Sequence, residues 1–224
     1  HNPVWVWNSF DHLDVNRHPM KFPDWTHSNA VLYSPDDGDL ILSMRHQNWV
    51  IKIDYEDGHG TGNILWRLGF GGDFTLQGGD SPIDWQYAQH AILLFGPASA
   101  GIFQLGLFDN GNDRIVDSAG DLCGTAGQPA CYSRLPIFQI NETAKTADIV
   151  WQYKLPVFSD FGGYVQPLAN GDVEFDEAQP SPNSAAVFEV TNTTSPQVVW
   201  QMNITNQNAY RAFRIPSLYP GVQW

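Results

Sequence analysis

DWTHSNAVLYSPDDGDLILSMRHQNWVIKID, residues 24–54, is the stretch whose reading decides the fold. It holds three short apolar runs, NAVLYS (29–34), DLILSM (39–44) and NWVIKID (48–54), and PDDG separates the first two. Short apolar or alternating runs bounded by turn residues read as strands, and Pro-Asp-Asp-Gly has the chemistry of a tight turn. A fourth run, NILWRLG (63–69), follows. No segment of the chain has the 3.6-residue period of an amphipathic helix, so the expected fold class is all-β.

The grouping in fours returns twice. YAQHAILLF (87–95), GIFQLGLF (101–108), SRLPIFQI (133–140) and DIVWQYK (148–154) form a second set. GGYVQPL (162–168), GDVEF (171–175), AAVFEV (185–190) and QVVWQM (197–202) form a third. Each set closes on an apolar pair followed by tryptophan: ILW at 64–66, IVW at 149–151 and VVW at 198–200. Repeated four-stranded units at fixed cadence are the signature of a β-propeller, whose blades bury their apolar faces against one another. The alternative, a β-sandwich, has no reason to repeat the tryptophan cadence. The expected blades are 24–69, 87–154 and 162–202. VWVW (4–7) is taken as the tail of a partial blade within 1–12, and AYRAFRIPSLY (209–219) as the start of another within 208–224. The whole, 1–224, reads as one propeller domain or the carboxy-terminal part of one. Because a ring takes about four to eight blades, the rest must come from an amino-terminal portion, a separate chain or a second copy. Two long connections, GFGGDFTLQGGDSPID (69–84) and DNGNDRIVDSAGDLCGTAGQPAC (109–131), are long enough to be functional or mobile.

Composition narrows the classes. The 224 residues carry a net charge of −13, which leaves no basic stripe for nucleic acid and disfavours an anionic membrane surface. No run approaches the roughly 18 apolar residues of a membrane span, and no signal peptide is evident. The chain opens in what reads as mid-strand, so it is expected either to lack its natural start or to begin inside a domain. The two cysteines, Cys123 and Cys131, bracket seven residues rich in Gly, Pro and Ala. Such a loop can close into a disulfide, which would point to an oxidising compartment; two free thiols are the alternative. Asn141, Asn192 and Asn203 begin N-x-[ST] sequons.

All seven histidines fall within the first 90 residues. In a propeller the innermost strands line a central channel, so residues at their starts converge from distant sequence. His27 and Asn29 precede one innermost strand, His90 sits in the next, and Arg45 ends the second strand of the first blade. An arginine, an amide and two histidines facing one centre suit a small tetrahedral oxyanion. His12 stands where the chain enters the first full blade, and Tyr210 and Arg211 open the last partial one; all three are candidates to reach the same site. Asp109, Asn110, Asp113 and Arg114, in FDNGNDR, read as bracing a turn.

DWTHSN, SMRHQNWVIKID, ILWRLG, WQYAQH and LFDNGNDR, in this order and spacing, resemble the bacterial arylsulfate sulfotransferase family over about residues 5–215. The resemblance implies a six-bladed β-propeller, secreted or periplasmic, that moves a sulfuryl group from an aryl sulfate to a phenol. It implies that the histidine of the Q-H motif, His90, is transiently sulfated. It further implies that His27, Asn29 and Arg45 bind the sulfuryl oxygens, with one more histidine supplied by an earlier blade. Sulfuryl transfer, like phosphoryl transfer, passes through a loose state in which positioning and electrostatics carry the catalysis. Neutral imidazole is the nucleophile, Arg45 a fixed cationic fork, Asn29 a neutral donor, and His27 a donor to oxygen or to the leaving phenolate. The scheme needs no metal and no cofactor. Two other readings stay open: a metal-dependent enzyme using the clustered histidines, although no close-spaced ligand motif is present, and a non-catalytic propeller that binds a protein or glycan or assembles with its own copies.

Overall fold

The computed structural model describes residues 2–215. Among them the regular elements are strands, with three single-turn 3-10 segments and no longer helix. The first blade is β1 (Ser28–Ser34), β2 (Asp39–Met44), β3 (Trp49–Ile53) and β4 (Ile64–Leu68), joined as antiparallel neighbours in that order. Next in the chain comes β5 (Thr75–Gln77). The second blade follows as β6 (His90–Leu94), β7 (Ile102–Phe108), β8 (Arg134–Asn141) and β9 (Thr146–Lys154). The third is β10 (Tyr164–Pro167), β11 (Val173–Glu177), β12 (Ser184–Val190) and β13 (Val198–Thr205). The innermost strands β1 and β10 both lie against β6, the arrangement of consecutive propeller blades.

The apolar alternation does the joining. Ile41, Val50, Trp66 and Leu68 of the first blade meet Ile92, Phe103, Leu105 and Phe138 of the second. Phe108, Leu135 and Ile137 on the second blade's other face meet Val165, Val173, Phe175 and Phe188 of the third. Fully burying side chains of this size is worth about 1.5–3 kcal/mol each. Lys52 is buried between the first two blades, donating to the Asp37 carboxylate and, at 2.6 Å, to Glu142 Oε1, which also accepts from Trp66 Nε1 at 2.8 Å.

Three expectations change. The glycine-rich connection 69–84 contains β5, which pairs in parallel with the outer strand β9. VWVW forms no strand; Trp5 and Trp7 instead pack, with Leu13 and Trp25, over the first blade's outward face. Residues 208–215 form no strand either, and the rest of the expected last partial blade lies outside the described residues. They run along the third blade's far face, where Phe213 packs on Tyr164 at 4.4 Å and Arg214 bridges Glu174 and Glu189.

Cys123 and Cys131 form a disulfide, as the loop between them permits. No described helix is long and apolar enough to cross a membrane.

Candidate functional site

Tight turns place the first side chains. β2 ends at Met44, and Arg45–Gln47 make one 3-10 turn closed by Asn48 in the left-handed region, φ +52, which asparagine tolerates better than most residues. The turn puts Arg45 and His46 at the Ser28/Met44 end of the sheet, beside His27. Asn48 Oδ1 also accepts the N–H of Ala88 at 2.7 Å, so the same turn pins the approach to His90. Gln89 extends the grip: its Nε2 donates to Trp49 O at 2.9 Å and sits within reach of Ser43 Oγ and Met44 O.

Both inner strands are bulged at the point where they present a histidine. The β1–β2 register slips between Ser28 and Ala30, and the β6–β7 register between His90 and Ile92. His27, Ala88 and Ala91 have φ of +46, +51 and +43. Bulges re-aim side chains, and positive φ at residues other than glycine is strained backbone of the kind that clusters at functional sites.

His90 is buried, 1% exposed. Its Nδ1 lies 2.7 Å from Asn110 Oδ1, and Asn110 Nδ2 donates to Ser159 O at 2.8 Å and Gly162 O at 3.1 Å. Those two carbonyls fix the orientation of the amide, so its oxygen faces the imidazole and Nδ1 carries the proton. Nε2 is then the bare nitrogen. Burial pushes the His90 pKa down to about 3, against the Asn110 hydrogen bond and assisted by Arg45, His27 and Arg211. The ring is therefore neutral at physiological pH.

The His27 ring stands 6.4 Å from that of His90, centroid to centroid, and 4.6 Å from that of His46. His27 Nδ1 donates to the Asp24 carboxylate and His46 Nδ1 to Asp24 O. Arg45 donates from Nη1 to His46 Nε2 and from Nη2 to Asp160 O, both at 2.8 Å. Burial, with the charges of Arg45 and His27 close by, holds His46 below its usual pKa. From the segment beyond β13, Tyr210 meets the His90 ring edge-on at 5.8 Å, and Arg211 donates to Asn29 O. Among the described residues, Arg45 Nε and Arg211 Nε are buried donors without partners. Buried polar atoms are ordinarily satisfied, and the charges of both arginines reach His90, so these two guanidinium N–H groups are donors left over for an anion's oxygens.

Of the sequence candidates, His27, Asn29, Arg45, His90 and Arg211 gather here, with Tyr210 alongside. Asn29 differs from expectation in detail: its Nδ2 donates to Gln89 O at 2.8 Å, tying β1 to the approach of β6. His12 stands apart. It stacks on Trp7 at 5.0 Å, and the Trp7 indole donates to Gly62 O. Gly62 just precedes β4 at the Asp39/Ile53 end of the sheet, opposite to His27. Sequence reasoning also misassigned part of FDNGNDR. Asp109 and Arg114 do brace the fold, since one Asp109 oxygen takes Arg114 Nη2 at 2.6 Å and Arg134 Nε at 2.9 Å, all three residues buried. Asn110, between them, belongs to the site. Asp24 and His46 were within the quoted stretches but carried no assigned role.

Asp24, His27 and His46 also offer donor atoms within 4.8 Å of one another, a spacing that a divalent ion could bridge. Both His46 nitrogens are already engaged, one of them by the Arg45 guanidinium. A fixed cation at that distance opposes a second one. A cavity of about 350 Å³, lined by Arg17, Asn48, Phe70, Tyr87, Ile115 and Leu122, opens between the first two blades at the same end as His90. A larger cleft of about 600 Å³ lies between β9 and the loop after β12, around Trp151 and Thr193, and shares no residue with the site.

Residues 2–211 match the family model described as Arylsulfotransferase (ASST). The arylsulfate sulfotransferase AssT of Escherichia coli O6:H1 (strain CFT073) is 27% identical over 157 residues. That match covers 58% of this chain and 23% of the relative, so the chain spans well under half of that protein's length.

Proposed function

The chain belongs to the arylsulfotransferase family, and on that footing we propose that it moves a sulfuryl group from an aryl sulfate to a phenol through a sulfated His90. The observation that carries this reading is the bare Nε2 of His90, with Nδ1–H held by Asn110 and the orphan donors of Arg45 and Arg211 close by. In the first half-reaction Nε2 attacks sulfur, the N–S bond forms, and the S–O bond to the aryl group breaks. The aryl oxygen leaves with a proton given by His27. In the second half a phenol oxygen attacks the same sulfur, the N–S bond breaks, and the phenol proton passes to His27. Because His90 keeps its Nδ1 proton, the sulfated ring has imidazolium character and is a good leaving group for the second step. Arg45 and Arg211 complement the charge on the equatorial oxygens. The disulfide suits a secreted or periplasmic setting.

The test is a series of variants in the full-length protein, incubated with 4-nitrophenyl sulfate without acceptor. Wild type should release one equivalent of phenol per chain in a burst and gain the mass of one SO3 group. His90→Ala and His90→Asn should do neither. Arg45→Lys keeps the charge but not the fork, and should slow the burst about 10²- to 10³-fold, comparable to losing one oxyanion donor. An SO3 adduct persisting in His90→Ala would overturn the mechanism.

A further inference from the structure

We infer that Asp24 is the residue that makes His27 a proton donor and acceptor for the aryl oxygen: a positioning carboxylate that acts through His27 and does not touch substrate. The inference rests on the sulfuryl-transfer reading above. Three contacts carry it. The Asp24 carboxylate accepts from His27 Nδ1, Asp24 Oδ1 also accepts the His27 N–H at 3.2 Å, and the Asp24 main-chain carbonyl accepts from His46 Nδ1. The side chain therefore fixes both the backbone and the ring of His27, which sits at φ +46, a conformation needing such support. With Nδ1 turned to Asp24, Nε2 is the nitrogen left to face the His90 side, where the ring centroids are 6.4 Å apart.

Charge makes the arrangement chemical as well as structural. The groups around His27 are largely cationic or neutral: Arg45 and His46 from the turn after β2, His90 from β6, and Tyr210 and Arg211 from the segment beyond β13. Asp160, whose carbonyl holds Arg45, and Asp113 are further acidic side chains whose charge reaches this end. Asp24 supplies the opposing charge, and although burial pulls the other way, the hydrogen bond and charge of His27 hold its carboxyl below the usual range. The proton inventory closes. In the first half-reaction His27 Nε2–H passes its proton to the departing aryl oxygen as S–O breaks and N–S forms at His90. In the second, the same nitrogen takes the acceptor phenol's proton as the new S–O bond forms and N–S breaks. His27 Nδ1–H stays on Asp24 throughout, which is the orienting role a carboxylate plays for a catalytic imidazole.

The experiment compares donors that differ in their need for a proton, using the full-length protein. 4-Nitrophenolate leaves readily without one and phenolate does not. Asp24→Asn keeps the shape and a hydrogen-bond acceptor but removes the charge. It should slow the burst from phenyl sulfate about 10²- to 10⁴-fold, the range of a general acid–base contribution, and that from 4-nitrophenyl sulfate less than about tenfold. Asp24→Glu should restore part of the phenyl sulfate rate. Equal losses on both donors would reduce Asp24 to a structural residue and overturn the inference, as would no loss on either. Should wild type itself form no adduct, the parent reading fails instead, a result distinct from either.

Discussion

Asn110→Ala removes the acceptor that faces His90 Nδ1, together with the donor that holds Ser159 O and Gly162 O. Both residues are buried, so water does not easily take the place of the lost oxygen. Without that oxygen nothing favours the Nδ1–H tautomer, and Nε2 is no longer reserved for attack. Leaving a buried donor unsatisfied costs about 1–3 kcal/mol. Set against the barrier to sulfation, that amounts to about 5- to 150-fold in rate. The assay is stopped-flow release of 4-nitrophenolate from 4-nitrophenyl sulfate by the full-length protein, with the SO3 adduct followed by mass. Because the two carbonyls also lose their donor, thermal stability should fall as well, so a second variant separates the effects. Asn110→Asp keeps an acceptor, drops both donor hydrogens and adds a charge beneath the ring. It should retain the burst, but hold the sulfated imidazole more tightly and so slow transfer to an added phenol. A burst at the wild-type rate in Asn110→Ala would refute the tautomer argument.

Two further outcomes concern the fold. Asp176 is fully buried, with Oδ1 accepting from Ala212 N at 3.1 Å and Oδ2 without a partner among the described residues, and burial raises its pKa to about 8 against the backbone N–H groups of Ala212 and Tyr164 and the charge of Arg211. The folded state therefore holds a proton that the unfolded chain releases near pH 4, so stability falls as pH rises from about 4 to about 8. Asp176→Asn should melt higher than wild type at pH 9 by the equivalent of a few kcal/mol, at about 1.4 kcal/mol per pH unit, and no higher at pH 4; equal differences at both would contradict the assignment. The second outcome follows from the uncovered faces, where Val31 and Tyr33 on β1 and Val198, Val199, Trp200 and Met202 on β13 are exposed. We propose that further blades, a partner chain or a second copy cover them, so the 224-residue chain expressed alone should associate; light scattering that finds only monomer over a wide concentration range would count against this.

The strands were legible because their apolar residues alternate and their turns carry Pro, Gly, Asp and Asn; the expected runs in all three blades coincide with observed strands to within a few residues. β5 was not legible, since Thr75–Gln77 is three residues inside a glycine-rich loop and takes its place only by pairing with β9. VWVW alternates like a strand, yet its tryptophans serve as a cover for Leu40, Leu42 and Ile64 without entering a ladder. His12 failed as a site residue because nearness in sequence to a blade does not tell which end of the sheet a side chain reaches. Asn110 was missed for a related reason. FDNGNDR has the composition of a turn, and only the fold shows that the asparagine between two ion-pairing residues reaches an imidazole twenty positions earlier.

The site also explains why amides are so frequent at the blade junction. Positive φ at His27, Ala88 and Ala91 costs of order 1–3 kcal/mol each and persists only where surrounding contacts over-determine it. At the approach to β6 those contacts come from amides, with Asn29 on Gln89 O, Asn48 on Ala88 N, Gln89 on Trp49 O and Asn110 on His90, and at His27 they come from the Asp24 carboxylate. Carboxylates could not replace Asn29, Gln89 or Asn110, whose amide N–H groups donate to backbone carbonyls, and at Asn48 a carboxylate would set a negative charge beside Arg45. Amides hold the strained strands without altering the field. Among the described residues, the acidic side chain that contacts a site histidine directly is Asp24, on His27. Strand packing thus supplies the rigidity and neutral amides the placement, and under the proposed mechanism one carboxylate orients the imidazole that transfers the proton. Asn48→Asp, which keeps the oxygen that accepts from Ala88 N, should therefore harm donor binding more than it harms the fold, whereas Asn29→Asp loses its bond to Gln89 O and should harm both.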